Sequence, residues 1–115
     1  MEMCIEKGTP IKEIQKGFSE IYPFLKIEVV NKKQPVKLVA DNALPEEAKH
    51  VDISSCRTVA QLEEDFKKLL NLPIQLFRRA GNLWIETSLT HDWTLDQQNR
   101  EGELFSSLYS NFTQK

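Results

Sequence analysis

The chain has two histidines and two cysteines. His50 stands two residues before Asp52 and His91 directly before Asp92, so an imidazole lies beside a carboxylate twice, as in a metal site. Metal ligation needs three or four converging groups, however, and neither H-E-x-x-H nor paired C-x-x-C occurs. Surface histidines are the simpler expectation. Cys56 lies beside Arg57 just ahead of a helical pattern, where a helix N-terminus and a cation would favour the thiolate. A small buried thiol is the simpler expectation at the same position. No glycine-rich phosphate loop is present. No catalytic, cofactor-binding or metal-binding residue is assigned, and the chain reads as non-enzymatic.

Binding chemistry is better represented. Phe77, Arg79 and Trp84 combine two aromatics with an arginine, the residue types that dominate protein interfaces. Two basic pairs, Lys32-Lys33 and Arg78-Arg79, fall at expected hairpin turns. With exposed aromatics on an open sheet they give an alternative reading, a nucleic-acid-binding face that stacks bases. Against it stand a net charge of −2 and the lack of a basic stripe or an RNP-type segment. Solvated turn residues account for the basic pairs without a ligand.

The elements that must carry these residues show an internal match. Ile11, Ile14, Phe18, Ile21 and Tyr22 correspond, 48 positions on, to Val59, Leu62, Phe66, Leu69 and Leu70. Each set marks one face of an amphipathic helix. After a one-residue deletion, Leu25, Ile27 and Val29 match Leu72, Ile74 and Leu76, and Val36, Leu38 and Ala40 match Leu83, Ile85 and Thr87. Met3 to Ile5 and Val51 to Ile53 add a short strand ahead of each helix. The expectation is a duplicated β-α-β-β unit, with repeat one at 1–40, a linker at 41–48 and repeat two at 49–87. Thr9 followed by Pro10 predicts the first helix start, Thr58 with Gln61 a capping box for the second. Pro23 and Asn71 are the expected stops.

Strand alternation predicts the exposed face. Turns at 32–35 and 79–82 are expected, and Leu76 opposite Ile85, both inward, places Phe77 opposite Trp84 on the outer face. Gln75, Arg79, Asn82 and Glu86 join them, with Lys26, Glu28, Val30, Lys37 and Val39 from the first half.

Residues 88–115 form a tail without a counterpart. Thr94 with Gln97 predicts another capped helix, and Trp93 before it is expected to clamp the chain against the core. Gly102 is expected to interrupt that helix. Leu104, Phe105, Leu108 and Phe112 make a further apolar stripe. Packing onto the chain's own sheet is the simpler expectation, and a homodimer through this stripe is the other.

Tyr-Pro-Phe-Leu-Lys-Ile-Glu (22–28), Phe-Arg-Arg-Ala-Gly-Asn-Leu-Trp (77–84) and Trp-Thr-Leu-Asp-Gln-Gln-Asn-Arg-Glu-Gly (93–102) resemble segments of a group of small bacterial proteins. The last, W-T-L-x-x-Q-N-x-x-G, is the most specific. The resemblance runs to Gly102 and implies no activity, because that group has no established function.

Composition bounds the reading. At 115 residues the chain can bury one core, since halves of about 50 residues would be marginal alone. Charged residues at 28% and apolar ones at 40% describe a globular domain. The first residues, MEMCIEKG, lack signal-peptide character, and no apolar run has membrane-spanning length. Two cysteines form no disulfide framework, so a reduced, cytoplasmic location is expected. The expected fold is α+β in a single domain: an antiparallel arrangement of about six strands, two helices on one face and a C-terminal helix, with the two three-stranded units either joined edge to edge or forming separate sheets. The expected function is a protein-interaction module without cofactor or membrane contact.

Overall fold

The computed structural model describes residues 1–6, 8–30 and 49–113, with side chains as far as Leu108. The fold is α+β. In chain order it runs β1 (Glu2–Ile5), α1 (Ile11–Ile21), β2 (Leu25–Val29), β3 (Lys49–Asp52), α2 (Val59–Leu70), β4 (Ile74–Ala80) and β5 (Leu83–Glu86). A short 3₁₀ turn (Ser88–Thr90) and α3 (Leu95–Thr113) follow.

Local chemistry sets most of the ends. Thr58 and Gln61 form a reciprocal capping box at α2, which satisfies backbone donors that have no partner within the helix. Asn71 closes α2 in the left-handed conformation, φ 50°. At α1 the start differs from expectation. Pro10 is the N-cap and has no side-chain bond to offer, while the Thr9 hydroxyl turns back, donating to the Glu6 carbonyl at 2.6 Å and accepting from its N–H at 3.0 Å. Thr9 therefore closes the β1–α1 turn and does not cap the helix.

The helical stripes meet in one core. Phe18 and Phe66 are both fully buried, surrounded by Ile11, Ile14, Val59, Leu62 and Leu70 from the helices and Ile5, Leu25, Ile27, Val51, Ile74 and Leu76 from the strands. Tyr22 packs beside Phe18 with ring centroids 5.2 Å apart, and its hydroxyl donates to the Ile53 carbonyl at 2.6 Å. One expected stripe member departs: Ile21 is 39% exposed.

The strands pair across the halves. β1 pairs antiparallel with β3 in a two-stranded sheet, and β2, β4 and β5 form an antiparallel three-stranded sheet in that order. Among the described residues there are thus five strands in two sheets, and each sheet draws on both halves. The register centres on matched positions: Met3 opposes Val51, and Glu28 opposes Gln75. The strand expected at 36–40, the turn at 32–35 and the linker at 41–48 lie outside the described residues.

The β4–β5 turn sits one residue further along the chain than the expected turn at 79–82. Ala80 faces Leu83, and the two-residue turn is Gly81-Asn82, with Gly81 at φ 70°. Glycine at the first central position suits a II′-type turn, whose twist matches that of the strands. Phe77 therefore opposes Glu86, and Arg79 opposes Trp84. The pairing is shifted by two residues from the expected one, so every side chain keeps its face.

The W-T-L-x-x-Q-N-x-x-G segment is the seam that holds α3 to the body. Trp93 carries the Arg78 guanidinium 5.4 Å from its ring centroid. The Thr94 hydroxyl caps α3 by accepting from the Gln97 N–H at 3.1 Å. Leu95 is fully buried, Gln98 is fully buried, and Asn99 Oδ1 accepts from the Phe24 N–H at 2.9 Å. Gly102 does not interrupt the helix. It lies inside α3 where a Cβ would come within 2.8 Å of Phe24 Cβ and 3.2 Å of the Arg79 carbonyl oxygen. Helix and sheet approach so closely there that only glycine fits. Beyond this seam the apolar stripe is not packed on the chain's own sheet: Leu104, Phe105 and Leu108 are all exposed. The side chain of Phe112 lies outside the described residues.

Candidate functional site

β4 distributes its residues by parity. Leu76 and Arg78 point to the side of the helices, and Gln75, Phe77 and Arg79 point away. β2 contributes Lys26 opposite Phe77, and β5 contributes Trp84 opposite Arg79. Four side chains thereby gather on the outer face. Lys26 Nζ lies 4.9 Å from the Trp84 ring centroid and 5.6 Å from that of Phe77. The Arg79 guanidinium lies 5.4 Å from the Trp84 ring, and its Nε donates to the Gly81 carbonyl at 2.6 Å. Lys26 also pairs with Glu28 at 3.3 Å. A cation within about 6 Å of an aromatic centroid gains about 0.5–1 kcal/mol at such partly exposed sites. Phe77, Arg79 and Trp84 are half-buried, and among the described residues no helix lies over them.

Sequence reasoning brought Phe77, Arg79 and Trp84 together correctly but treated Arg78 as Arg79's basic companion. The structure separates them. Arg78 is on the helix side, where its Nη1 donates to Gln98 Oε1 at 3.0 Å and its guanidinium lies over Trp93. It is a structural cation. Lys32 and Lys33 lie outside the described residues. Lys26 is the member of the cluster not assigned from sequence. Its signal was the strand parity that put it outward, but its place beside Trp84 depends on β2 pairing with β4.

The residues with catalytic or ligating chemistry do not converge. Cys4 faces His50 across the β1–β3 ladder, both exposed, and His50 Nδ1 lies 3.7 Å from a Glu2 oxygen. His91 Nδ1 lies 2.8 Å from the Ser88 carbonyl oxygen, within its own turn. Cys56 is exposed, contrary to the expectation of a small buried thiol, because the loop before α2 turns it outward. Among the described residues no group of three or more His, Cys, Asp and Glu side chains is placed to hold a metal ion.

Glu63 and Asp52 are among the described groups with shifted affinities for protons. Burial pushes the Glu63 carboxyl above its ordinary range, against the opposing pull of the Leu76 N–H, which donates to it at 3.1 Å, and of His91. Asp52 is held below the usual carboxylate range, first by the hydroxyl and then by the N–H of Ser54. Arg57 ties this corner together, donating to Asp65 at 2.7 Å and approaching Asp52 at 3.8 Å.

Comparison with protein-family models, with curated proteins and with solved structures gives no match. Among the described residues no helix is long and apolar enough to cross a membrane.

Proposed function

We propose that the protein is a non-enzymatic interaction module whose contact surface is the outer face of the three-stranded sheet, built from Lys26, Phe77, Arg79 and Trp84. The observation that carries this reading is the Trp84 indole set between Lys26 and Arg79 beside Phe77, on a face that no described helix covers. Aromatic surface edged by cations suits a protein partner that presents an apolar side chain next to a carboxylate. Nucleic acid has weaker support, since Arg78 is engaged with Gln98 and Trp93 on the opposite face, and Glu28 and Glu86 share the outer face with the cations. The exposed stripe of Leu104, Phe105 and Leu108 is a second apolar surface, but nothing on it selects an occupant.

The test is affinity capture from the native cell with the wild-type chain and with Trp84→Ala, followed by a salt titration of whatever is retained. A protein retained at elevated salt and lost with Trp84→Ala supports the reading. Retention of nucleic acid that falls steeply with salt, through counterion release, would overturn it.

A further inference from the structure

The two edges of the three-stranded sheet are finished differently. On β2 the backbone groups of Leu25 and Ile27 face away from β4, because Phe24 and Val30 bond across to Arg79 and Pro73. That rim is occupied by side chains of α1. Ser19 Oγ donates to the Leu25 carbonyl at 3.0 Å and Gln15 Nε2 to the Ile27 carbonyl at 2.8 Å.

On β5 the alternation places Leu83 and Ile85 in bonded pairs with Ala80 and Arg78, and the Thr87 N–H continues the series to the Leu76 carbonyl. The backbone groups of Trp84 and Glu86 are left pointing outward. Among the described residues neither a strand nor a side chain takes them. Leu83 and Ile85 beside this rim are 64% and 37% exposed, and Leu89 just beyond is 98% exposed. β5 carries neither Lys nor Pro, the residues that commonly protect a sheet edge.

We propose that β5 pairs antiparallel with β5 of a second copy of this chain, about a two-fold axis that sets Ile85 opposite its own counterpart. Charge selects the copy and the register. In this register each Trp84 opposes the Glu86 of the other copy, so both outward-facing residues of each strand are used. Each Glu86 carboxylate then arrives beside an indole already edged by Lys26 and Arg79. A two-residue slip one way sets Glu86 against Glu86, a like-charge pair that costs stability. The slip the other way sets Glu86 opposite Asn82, beyond the end of the strand. The chosen register also buries Ile85 against Ile85 and Leu83 against Thr87 on the helix side, and joins the two three-stranded sheets into one of six. This pairing does not depend on the outer face being a partner site.

The experiment begins with sedimentation equilibrium of the unmodified chain from micromolar to millimolar concentration, where a concentration-dependent doubling of mass is expected. Single cysteines at Trp84, Ile85 and Glu86 are then placed in a Cys4→Ser, Cys56→Ser background and oxidised. Ile85→Cys should form the disulfide dimer several-fold faster than Trp84→Cys or Glu86→Cys. Non-bonded antiparallel pairs bring Cα atoms to about 4.5 Å, within disulfide range. Ile85→Lys should leave a folded monomer. A monomer at every concentration, fastest cross-linking at 84 or 86, or a dimer that survives Ile85→Lys but not Leu104→Lys with Leu108→Lys would overturn the proposal.

Discussion

Arg78 and Gln98 share a hydrogen bond of 3.0 Å that joins the middle of the sheet to α3. The same Gln98 amide donates to the Thr90 carbonyl at 2.7 Å and to the Thr90 hydroxyl at 2.8 Å. A fully buried glutamine is thus satisfied at both ends, and Arg78 spends its charge on structure. Replacing Gln98 with Leu should cost about 1–3 kcal/mol, because it leaves the Arg78 and Thr90 groups unpaired in a partly buried seam. Chemical denaturation of the variant and of Arg78→Met would measure it. A double variant less destabilised than the sum would show that the two residues act as one unit.

Gly102 gives a second prediction on the same seam. An alanine there would gain about 1 kcal/mol of helix propensity in isolation. Its methyl group would meet Phe24 Cβ at 2.8 Å and the Arg79 carbonyl oxygen at 3.2 Å, so α3 must shift off the sheet. The net effect of Gly102→Ala should be a loss of about 1–3 kcal/mol, as for other overpacked contacts. A thermal midpoint equal to or above that of the wild type would refute the close approach.

Trp93 should control the attachment of the tail. Its carbonyl accepts from the Val59 N–H at 3.1 Å, and its ring holds Arg78. In Trp93→Ala, hydrogen exchange should rise first within α3 while β4 and α2 stay protected. An equal rise along the whole chain would mean that α3 does not open separately.

Phe18 and Phe66 hold equivalent places in the two helices, and each is fully buried. Truncating either to Ala should cost about 3–5 kcal/mol, a large share of a small domain's stability. Denaturant midpoints of the two variants test this, and a mild effect at either position would show that the core can close around the gap.

Glu63 should make stability depend on pH. Burial raises its folded pKa above the unfolded value, so the native state holds the proton more tightly. Its favourable contribution is complete below the unfolded pKa and is lost as pH rises through the folded pKa. Glu63→Gln keeps an acceptor for the Leu76 N–H and removes the buried charge. The variant should therefore be the more stable at neutral pH, with the advantage shrinking as pH falls towards 4, read as the difference between denaturation midpoints. Asp52 works in the opposite sense. Its depressed pKa contributes stability above the unfolded value, and this is lost in acid.

Element positions were legible from local chemistry. The capping box at Thr58, the left-handed stop at Asn71 and the apolar periodicity around Phe18 and Phe66 act within a few residues, so the sequence alone determined the helices and their buried stripes. Strand parity was equally legible. A shift of two residues preserves the face, which is why Trp84 lies beside Phe77 and Arg79 although the turn sits one residue further along than expected. Only the tertiary structure decided which strands meet. Pairing β1 with β3 and β2 with β4 brings together residues nearly fifty positions apart, a choice made by the burial of both helices at once and not by any local signal. That choice set Lys26 beside Trp84, and the packing of α3 turned Arg78 to Gln98. It also made W-T-L-x-x-Q-N-x-x-G a packing seam, since the need for a glycine at 102 exists only once a sheet lies against it.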